Sequence, residues 1–345
     1  MTAIEVAVVG GGNFGTVLAN IAGGNGYPTH LWMRDERLAA ECRELRENRR
    51  YLPGHPIHAQ VLPTADLRLA LERSRVVFMT VPSRSFREVS ERIARHCDSD
   101  AVVISATKGI ERKSDGSGFR LMSDILRELL PTARIGVLSG PNLAEEIAAG
   151  HYTGTVVACP DPSVCETVRT VLKCETFRVY ENPDTYGVEL AGALKNVYAI
   201  VCGIAGGLKV GQNTIAMLIT RSLAEMSRLA VSLGANPFTF LGLAGVGDLM
   251  VTCTSPLSRN YQLGCRLARG LSLDEALTDL GKLAEGVNTL RVVHEHARRL
   301  DVYMPLATGL YRVLFEHGDL GAVVTELMTG GQPVDVEFAR PPAAP

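Results

Sequence analysis

A surplus of charge of one sign is nearly absent: 35 Lys and Arg stand against 37 Asp and Glu, a formal net charge of -2 over 345 residues. Without a basic excess to neutralise phosphates, nucleic acid is not an expected partner. Hydrophobic residues make up 46% and charged residues 21%, which excludes a disordered chain and leaves an ordinary globular one. CxxC pairs are absent too. The cysteines (Cys42, Cys97, Cys159, Cys165, Cys174, Cys202, Cys253, Cys265) lie mostly in apolar runs, where a reduced thiol is a small hydrophobe, so a reducing, cytoplasmic location is expected. No basic leader precedes the strand-like run Ile4 to Val9, so no export signal is read. Long hydrophobic runs are scarce. The one candidate, LAGALKNVYAIVCGIAGGL from Leu190 to Leu208, carries Lys195 and Asn196 and has no second apolar segment to shield them. It is expected to be a buried helix, not an integral membrane segment. Internal repeats are absent, and the only low-complexity piece is RPPAAP at Arg340–Pro345.

What is present has a clear rhythm. The length exceeds what one hydrophobic core usually supports, so two domains are expected. Up to about Tyr180, short β-branched runs alternate with amphipathic stretches: Ile4–Val9, His30–Met33, Val76–Val81, Ala101–Ser105, Ile135–Leu138, Thr155–Cys159 and Thr176–Val179. That alternation predicts an α/β, Rossmann-type, mostly parallel sheet with helices on both faces. After Asn182 the rhythm gives way to helical patterns at roughly 184–207, 212–233, 259–269, 286–300 and 303–316. The expected division is a dinucleotide-binding domain over 1–182, an all-helical substrate domain over 183–335 and a flexible tail over 336–345.

The first strand runs into Gly10-Gly11-Gly12-Asn13-Phe14-Gly15 and then a helical stretch, which places a GxGxxG pattern where a dinucleotide fingerprint requires it. Gly10 suits a tight turn, Gly12 a close approach of backbone to pyrophosphate, and Gly15 close packing of helix on strand. The helix start adds N–H donors and positive potential. At the end of the second strand, where an acid commonly reads the adenosine ribose, stands Arg34, followed by Asp35. A guanidinium can grip a 2′-phosphate, which favours NADP(H), while Asp35 keeps NAD(H) open. The segments Val81-Pro82-Ser83 and Ala106-Thr107-Lys108-Gly109 close two further strands, on the edge where ligands of open α/β sheets lie.

Around Lys195, positions three or four apart give Gly192, Ala199, Gly203 and Gly206, a stripe of small residues on one helix face. The stripe fits either close helix packing with the ammonium reaching water, or a reactive lysine close to another surface. A second group favours reactivity. Gly242 to Asp248 is glycine-rich and ends in an acid, and Thr252 to Asn260, TCTSPLSRN, gathers hydroxyls, a guanidinium and an amide before a helical run. Ser258, Arg259 and Asn260, with the helix they open, suit a phosphate dianion; the alternative is an N-cap and turn. Together these parts suggest hydride transfer at a secondary alcohol, with Lys195 accepting the hydroxyl proton, Asp248 orienting it and Lys108 polarising the oxygen or holding substrate. In an apolar helix the lysine is expected to titrate nearer neutrality. No metal ligands are expected.

At this point the chain resembles a known family, the NAD(P)-dependent glycerol-3-phosphate dehydrogenases of bacterial type. The matching pieces are GGGNFGT at 10–16, LWMRD at 31–35, TVPS at 80–83, ATKGI at 106–110, SGPNLAEEIAAG at 139–150, ELAGALKNVYAI at 189–200, LITRSLAEMSRL at 218–229, GVGDLMVTCTSPLSRN at 245–260 and AEGVNT at 284–289. They run through nearly the whole chain in the family's order. The resemblance implies a helical second domain of the 6-phosphogluconate dehydrogenase-like kind. It also implies interconversion of glycerol 3-phosphate and dihydroxyacetone phosphate, supplying phospholipid synthesis, and a homodimer is expected. It places Asn13, Phe14, Arg34, Lys108, Ala144, Arg259, Leu283 and Glu285 against the dinucleotide. It places Lys108, Gly140, Asn142, Lys195, Asp248, Ser258, Arg259 and Asn260 against the substrate. The chain departs from the family pattern in three places: Asn142 where bacterial members usually carry Ser or Thr, Asn13 where Ser is commoner, and Leu208-Lys209-Val210 in place of a more glycine-rich turn. Two other readings remain: a dehydrogenase of the same architecture acting on a 3-hydroxyacid, and a non-catalytic NAD(P)H sensor.

Overall fold

A computed structural model of the chain describes residues 4–113, 115–116, 118–281 and 283–330. The tail expected over 336–345 lies outside the described residues. The chain groups into two compact units, Met1–Glu111 with Arg120–Glu189, and Arg112–Phe119 with Leu190–Pro345.

The strands are β1 (Glu5–Val9), β2 (Thr29–Trp32), β3 (Val61–Thr64), β4 (Ser74–Met79), β5 (Val102–Ser105), β6 (Ile110–Arg112), β7 (Phe119–Leu121), β8 (Arg134–Ser139), β9 (Thr153–Ala158) and β10 (Phe177–Asn182). Eight of them form one sheet in the order β3-β2-β1-β4-β5-β8-β9-β10, and β6 pairs with β7 as a short ribbon. Every pairing in the large sheet is parallel except β8 with β9. This is the mostly parallel sheet that the alternating runs predict. β1 shows why the sheet is covered twice. Val6 and Val8 enter one core, which also holds Val17, Leu18 and Phe78. Ala7 and Val9 enter another, with Met79, Phe86 and Val103. Successive side chains of a strand point to opposite faces, so an all-apolar strand needs helices on both.

β3 and the β6–β7 ribbon are additions to the strands expected from sequence. β3 contains Pro63 and is an edge strand, the place where a residue without an N–H is tolerated.

In the second unit the helices are Gln212–Ser232, Asp248–Thr254, Arg259–Leu267, Leu273–Leu280, Glu285–Arg299, Pro305–Phe315 and Leu320–Thr329, together with Leu190 onward of the helix Thr185–Gly207. The expected all-helical composition holds for Leu190 to Gly330 among the described residues. Helices Asp248–Thr254, Leu273–Leu280 and Leu320–Thr329 were not among those expected. By length and composition Thr185–Gly207 could cross a membrane, and 94% of its most apolar window is buried within the protein. That burial matches the expected core helix.

One internal brace organises this unit. Glu225, buried in Gln212–Ser232, accepts hydrogen bonds from Leu306 N (2.6 Å), Ala307 N (3.2 Å) and Tyr198 Oη (3.1 Å). A carboxylate here satisfies N–H groups that the start of Pro305–Phe315 cannot pair within its own helix. Burial nevertheless pushes its carboxyl up to about 7, against those three donors, which act to lower it.

Candidate active site

In the first unit, β1, β4, β5 and β8 run parallel, so the segments that follow them emerge at one edge of the sheet. That edge carries Gly10 to Gly15, Thr80 to Ser83, Lys108, and Gly140 to Asn142. Between β1 and β4 the strand order reverses direction, the position where open α/β sheets leave a crevice for a ligand.

Gly10 and Gly15 take the local roles that their spacing implies. Gly10 has φ +126°, a conformation that favours glycine. A Cβ on Gly15 would lie 1.9 Å from the Gly10 carbonyl oxygen, so helix Asn13–Gly24 seats against the β1 turn only without a side chain there. At Gly12 a Cβ would meet nothing within 4 Å. Gly12 is also the N-cap of that helix, contributes no side-chain cap, and is followed by no acid in the first turn. The helix start therefore keeps donors and positive potential for an anion in open space, which fits a dinucleotide pyrophosphate. Asn13 is exposed and accepts from Phe14 N through Oδ1 at 2.9 Å; Phe14 is half-buried against the core.

Arg34 is exposed after β2 and has no hydrogen bond or ion pair among the described residues. Asp35 is committed elsewhere: Oδ1 accepts from Arg37 N (3.0 Å) and Leu38 N (3.3 Å) to cap helix Glu36–Leu45, and Oδ2 lies 3.7 Å from Arg50. The acid that kept NAD(H) open thus serves first as a helix cap. Lys108 Nζ donates to the Gly140 carbonyl at 2.8 Å, and Gly140 holds φ +141° with space for no more than a glycine beside Thr155 Cα. Asn142 Nδ2 donates to Thr155 Oγ1 at 2.9 Å, whereas its Oδ1 is buried without a partner. A buried acceptor left open costs about 1–3 kcal/mol, so a ligand N–H or O–H would be welcome there. Ala144 is buried at the start of helix Ala144–Ala148.

In the second unit, Lys195 is only 6% exposed. Its Nζ donates to Asp248 Oδ1 and to Thr252 Oγ1, the latter at 2.6 Å. Asp248 and Thr252 are four residues apart on helix Asp248–Thr254, hence on one face. Thr252 lay inside the polar stretch noted in the sequence, but its role beside Lys195 was missed; the four-residue spacing was the available signal. The glycines before Asp248 form not a loop but a wide helical turn, Leu243–Gly247, leading into that helix. A Cβ on Gly245 would sit 2.1 Å from the Phe240 carbonyl oxygen, so the turn closes on backbone. Such wide turns cluster at functional sites.

The small-residue stripe has the close helix packing of the first reading but not its water-reaching ammonium. Cβ atoms on Gly203 and Gly206 would strike Tyr261, so that part is close packing against helix Arg259–Leu267. Lys195 does not reach out to water; it is held by Asp248. The polar stretch divides likewise. Ser258 caps helix Arg259–Leu267 through Oγ, which accepts from Tyr261 N at 3.3 Å. Asn260 is buried; Nδ2 donates to Asn196 Oδ1 (2.9 Å) and Oδ1 accepts from Gly286 N (3.0 Å). Arg259 differs from both. It is exposed, opens a helix with no acid in its first turn, and has no hydrogen bond or ion pair among the described residues. A cation at the positive end of a helix is unfavourable unless an anion joins it. Leu283 and Glu285 are half-buried on either side of Ala284, with Glu285 beginning helix Glu285–Arg299.

A dinucleotide cradle on a parallel sheet, with a buried lysine–carboxylate pair and an unneutralised arginine elsewhere in the same chain, defines the class as nicotinamide-dependent dehydrogenases of anionic alcohols. Residues 5–165 match the N-terminal and residues 184–325 the C-terminal family model of NAD-dependent glycerol-3-phosphate dehydrogenase. The chain belongs to that family. It is 53% identical over 335 residues to the glycerol-3-phosphate dehydrogenase (NAD(P)+) of Teredinibacter turnerae, covering 97% of each chain. It is 54% identical over 333 residues to that of Saccharophagus degradans, covering 96% of this chain and 92% of the other. Its fold is similar to the crystal structure of glycerol-3-phosphate dehydrogenase from Coxiella burnetii, with a TM-score of 0.89 at 36% identity, covering 95% of this chain and 99% of that one.

Proposed function

We propose that the protein interconverts sn-glycerol 3-phosphate and dihydroxyacetone phosphate with NAD(P)(H); its relatives are named glycerol-3-phosphate dehydrogenase (NAD(P)+). The observation that carries the reading is the ammonium of Lys195 buried on Asp248 and Thr252, a group able to exchange one proton with a substrate oxygen. The bound nicotinamide supplies or accepts the hydride. In reduction Lys195 gives its proton to the ketone oxygen as it becomes an alkoxide; in oxidation it takes the hydroxyl proton. Asp248 and Thr252 fix where Nζ points, so its lone pair or proton is spent on one atom.

Arg259 holds the phosphate as a forked donor, helped by the helix start that Ser258 caps and by the backbone N–H of Asn260 in its first turn. Lys108, Gly140 and Asn142 hold the carbinol end of the substrate. Gly10, Gly12, Asn13, Phe14, Gly15, Arg34, Lys108, Ala144, Arg259, Leu283 and Glu285 contact the dinucleotide. Arg34 selects NADP(H), because Asp35 is already engaged as a helix cap. The protein acts in the cytoplasm as a homodimer and feeds phospholipid synthesis.

The test is to follow absorbance of the reduced nicotinamide with purified protein and dihydroxyacetone phosphate. Oxidation of NADPH or NADH supports the reading, and no oxidation of either overturns it.

A further inference from the structure

The second unit contains a cleft of about 780 Å³ beside helices Glu285–Arg299 and Pro305–Phe315, and its lining is strongly cationic. Four guanidinium groups, Arg112, Arg291, Arg298 and Arg299, face one carboxylate, Glu295. In a protein of net charge -2 such clustering concentrates positive potential at one concave place. The charges are only partly neutralised. Glu295 pairs with Arg112 at 2.8 Å, and Arg299 donates to the His296 ring at 2.8 Å. Arg291 lies over the Phe315 ring at 4.3 Å, and neither it nor Arg298 has a carboxylate partner among the described residues.

An independent feature lies in the same wall. His294 is 7% exposed, stacks on Tyr311 with ring centroids 3.9 Å apart and planes 10° from parallel, and leaves its Nδ1 buried without a hydrogen-bond partner. Burial first, and then the Arg298 charge, hold this imidazole below its ordinary range, with Glu316 opposing. At neutral pH it is therefore an uncharged ring with unmet hydrogen-bonding capacity. Aromatic side chains fixed beside free guanidiniums make a rigid wall for an anion, because little side-chain freedom remains to be lost on binding.

We propose that this cleft binds a small soluble polyanion of the pyrophosphate class, with at least two adjoining anionic groups, at a site other than the one that takes the substrate phosphate. Arg291 and Arg298 supply the unpaired charges, Arg299 adds a third, and the anion also meets the positive wall around His294. The concavity suits a metabolite-sized ligand; a flat bilayer surface would not enter it.

Inorganic pyrophosphate is the probe, titrated by calorimetry into three full-length proteins: the natural sequence, Arg259→Gln, and the double variant Arg291→Gln with Arg298→Gln. Binding that survives Arg259→Gln and weakens at least tenfold in the double variant is expected. The double variant should keep its turnover with dihydroxyacetone phosphate, since neither arginine belongs to the reaction site, and that also checks its folding. As a second readout on the natural sequence, the His294 ring resonances, assigned with His294→Gln, should shift on adding pyrophosphate. Absence of pyrophosphate binding overturns the proposal. So does binding that the double variant keeps undiminished, whether it sits on Arg259 or at the Gly12 helix start, a His294 signal that does not move, or association seen only with anionic phospholipid vesicles. Failure of the dehydrogenase assay with pyrophosphate binding intact would count against the enzymatic reading alone.

Discussion

The Nζ of Lys195 donates to Oδ1 of Asp248, 53 residues further along the chain, with the two side chains only 7% and 1% exposed. An ion pair so enclosed is poor value as a fold stabiliser, because removing two charges from water offsets most of their attraction. Its persistence at this place argues for chemistry. Lys195→Ala is therefore expected to lower kcat by roughly 100- to 10,000-fold, the span of general acid–base contributions, while cofactor affinity changes little. Taking the ammonium away from the buried Asp248 carboxylate should also cost about 3–5 kcal/mol. Steady-state kinetics beside a denaturant melt separates the two effects; near-normal kcat in a folded variant would reject the proton-transfer role.

Arg259 is expected to act on binding and not on the proton. Removing a charge-assisted donor from a phosphate costs about 1.5–3 kcal/mol, so Arg259→Ala should raise the KM for phosphorylated substrate roughly 10- to 100-fold. The measurement is KM for dihydroxyacetone phosphate, with the KM for reduced nicotinamide as control. An unchanged substrate KM places the phosphate elsewhere. Arg259→Lys should recover only part of the loss, since a single ammonium lacks the fork.

Under the proposed function the choice of nicotinamide turns on Arg34. With Asp35 capping helix Glu36–Leu45, that reading assigns the neighbouring guanidinium to a 2′-phosphate. Arg34→Ser should weaken NADPH about tenfold or more, by the strength of one charge-assisted contact, and leave NADH nearly unchanged. The ratio of kcat/KM for the two cofactors reads this directly, and equal losses for both would mean that Arg34 only packs on adenine.

How far these assignments could be read from sequence depended on the range of the interaction. The strands of the first unit were visible because each is a short β-branched run buried on both faces, as Val76 to Met79 is. β3 was hidden by Pro63, and the β6–β7 ribbon by its brevity and polarity. Helix Leu273–Leu280 did carry a local signal, Ser272 and Glu275 as a capping box and Gly281 as its left-handed stop, and it was overlooked. The glycine fingerprint and the polar stretch before Asn260 were likewise local. By contrast, the Lys108 contact with Gly140 and the Asn142 contact with Thr155 depend on which strands are neighbours. The division of labour among Ser258, Arg259 and Asn260 depended on where one helix begins, and placed one as a cap, one as a brace and one free.

The Glu225 brace links stability to pH in a definite direction. Its carboxyl is raised from 4.5 to about 7 in the folded protein, so between those values the folded state holds more protons than the unfolded one. Stability contributed by the protonated carboxyl is complete below about pH 4.5, falls as pH rises through 7, and is constant above, a loss of a few kcal/mol if this group acted alone. Glu189, buried on Ser123 N (2.9 Å) and Oγ (2.5 Å) and also pushed up to about 7, works in the same direction. Glu225→Gln cannot ionise. It should lose stability at pH 5, where the amide replaces one acceptor facing Ala307 N, and yet show a shallower decline between pH 5 and 8 than the natural sequence. Adding Glu189→Gln should flatten the decline further. Chemical denaturation at a series of pH values measures the slopes, and parallel slopes for the natural and Glu225→Gln proteins would show that Glu225 ionises in the folded state at an ordinary pH, its three donors outweighing its burial.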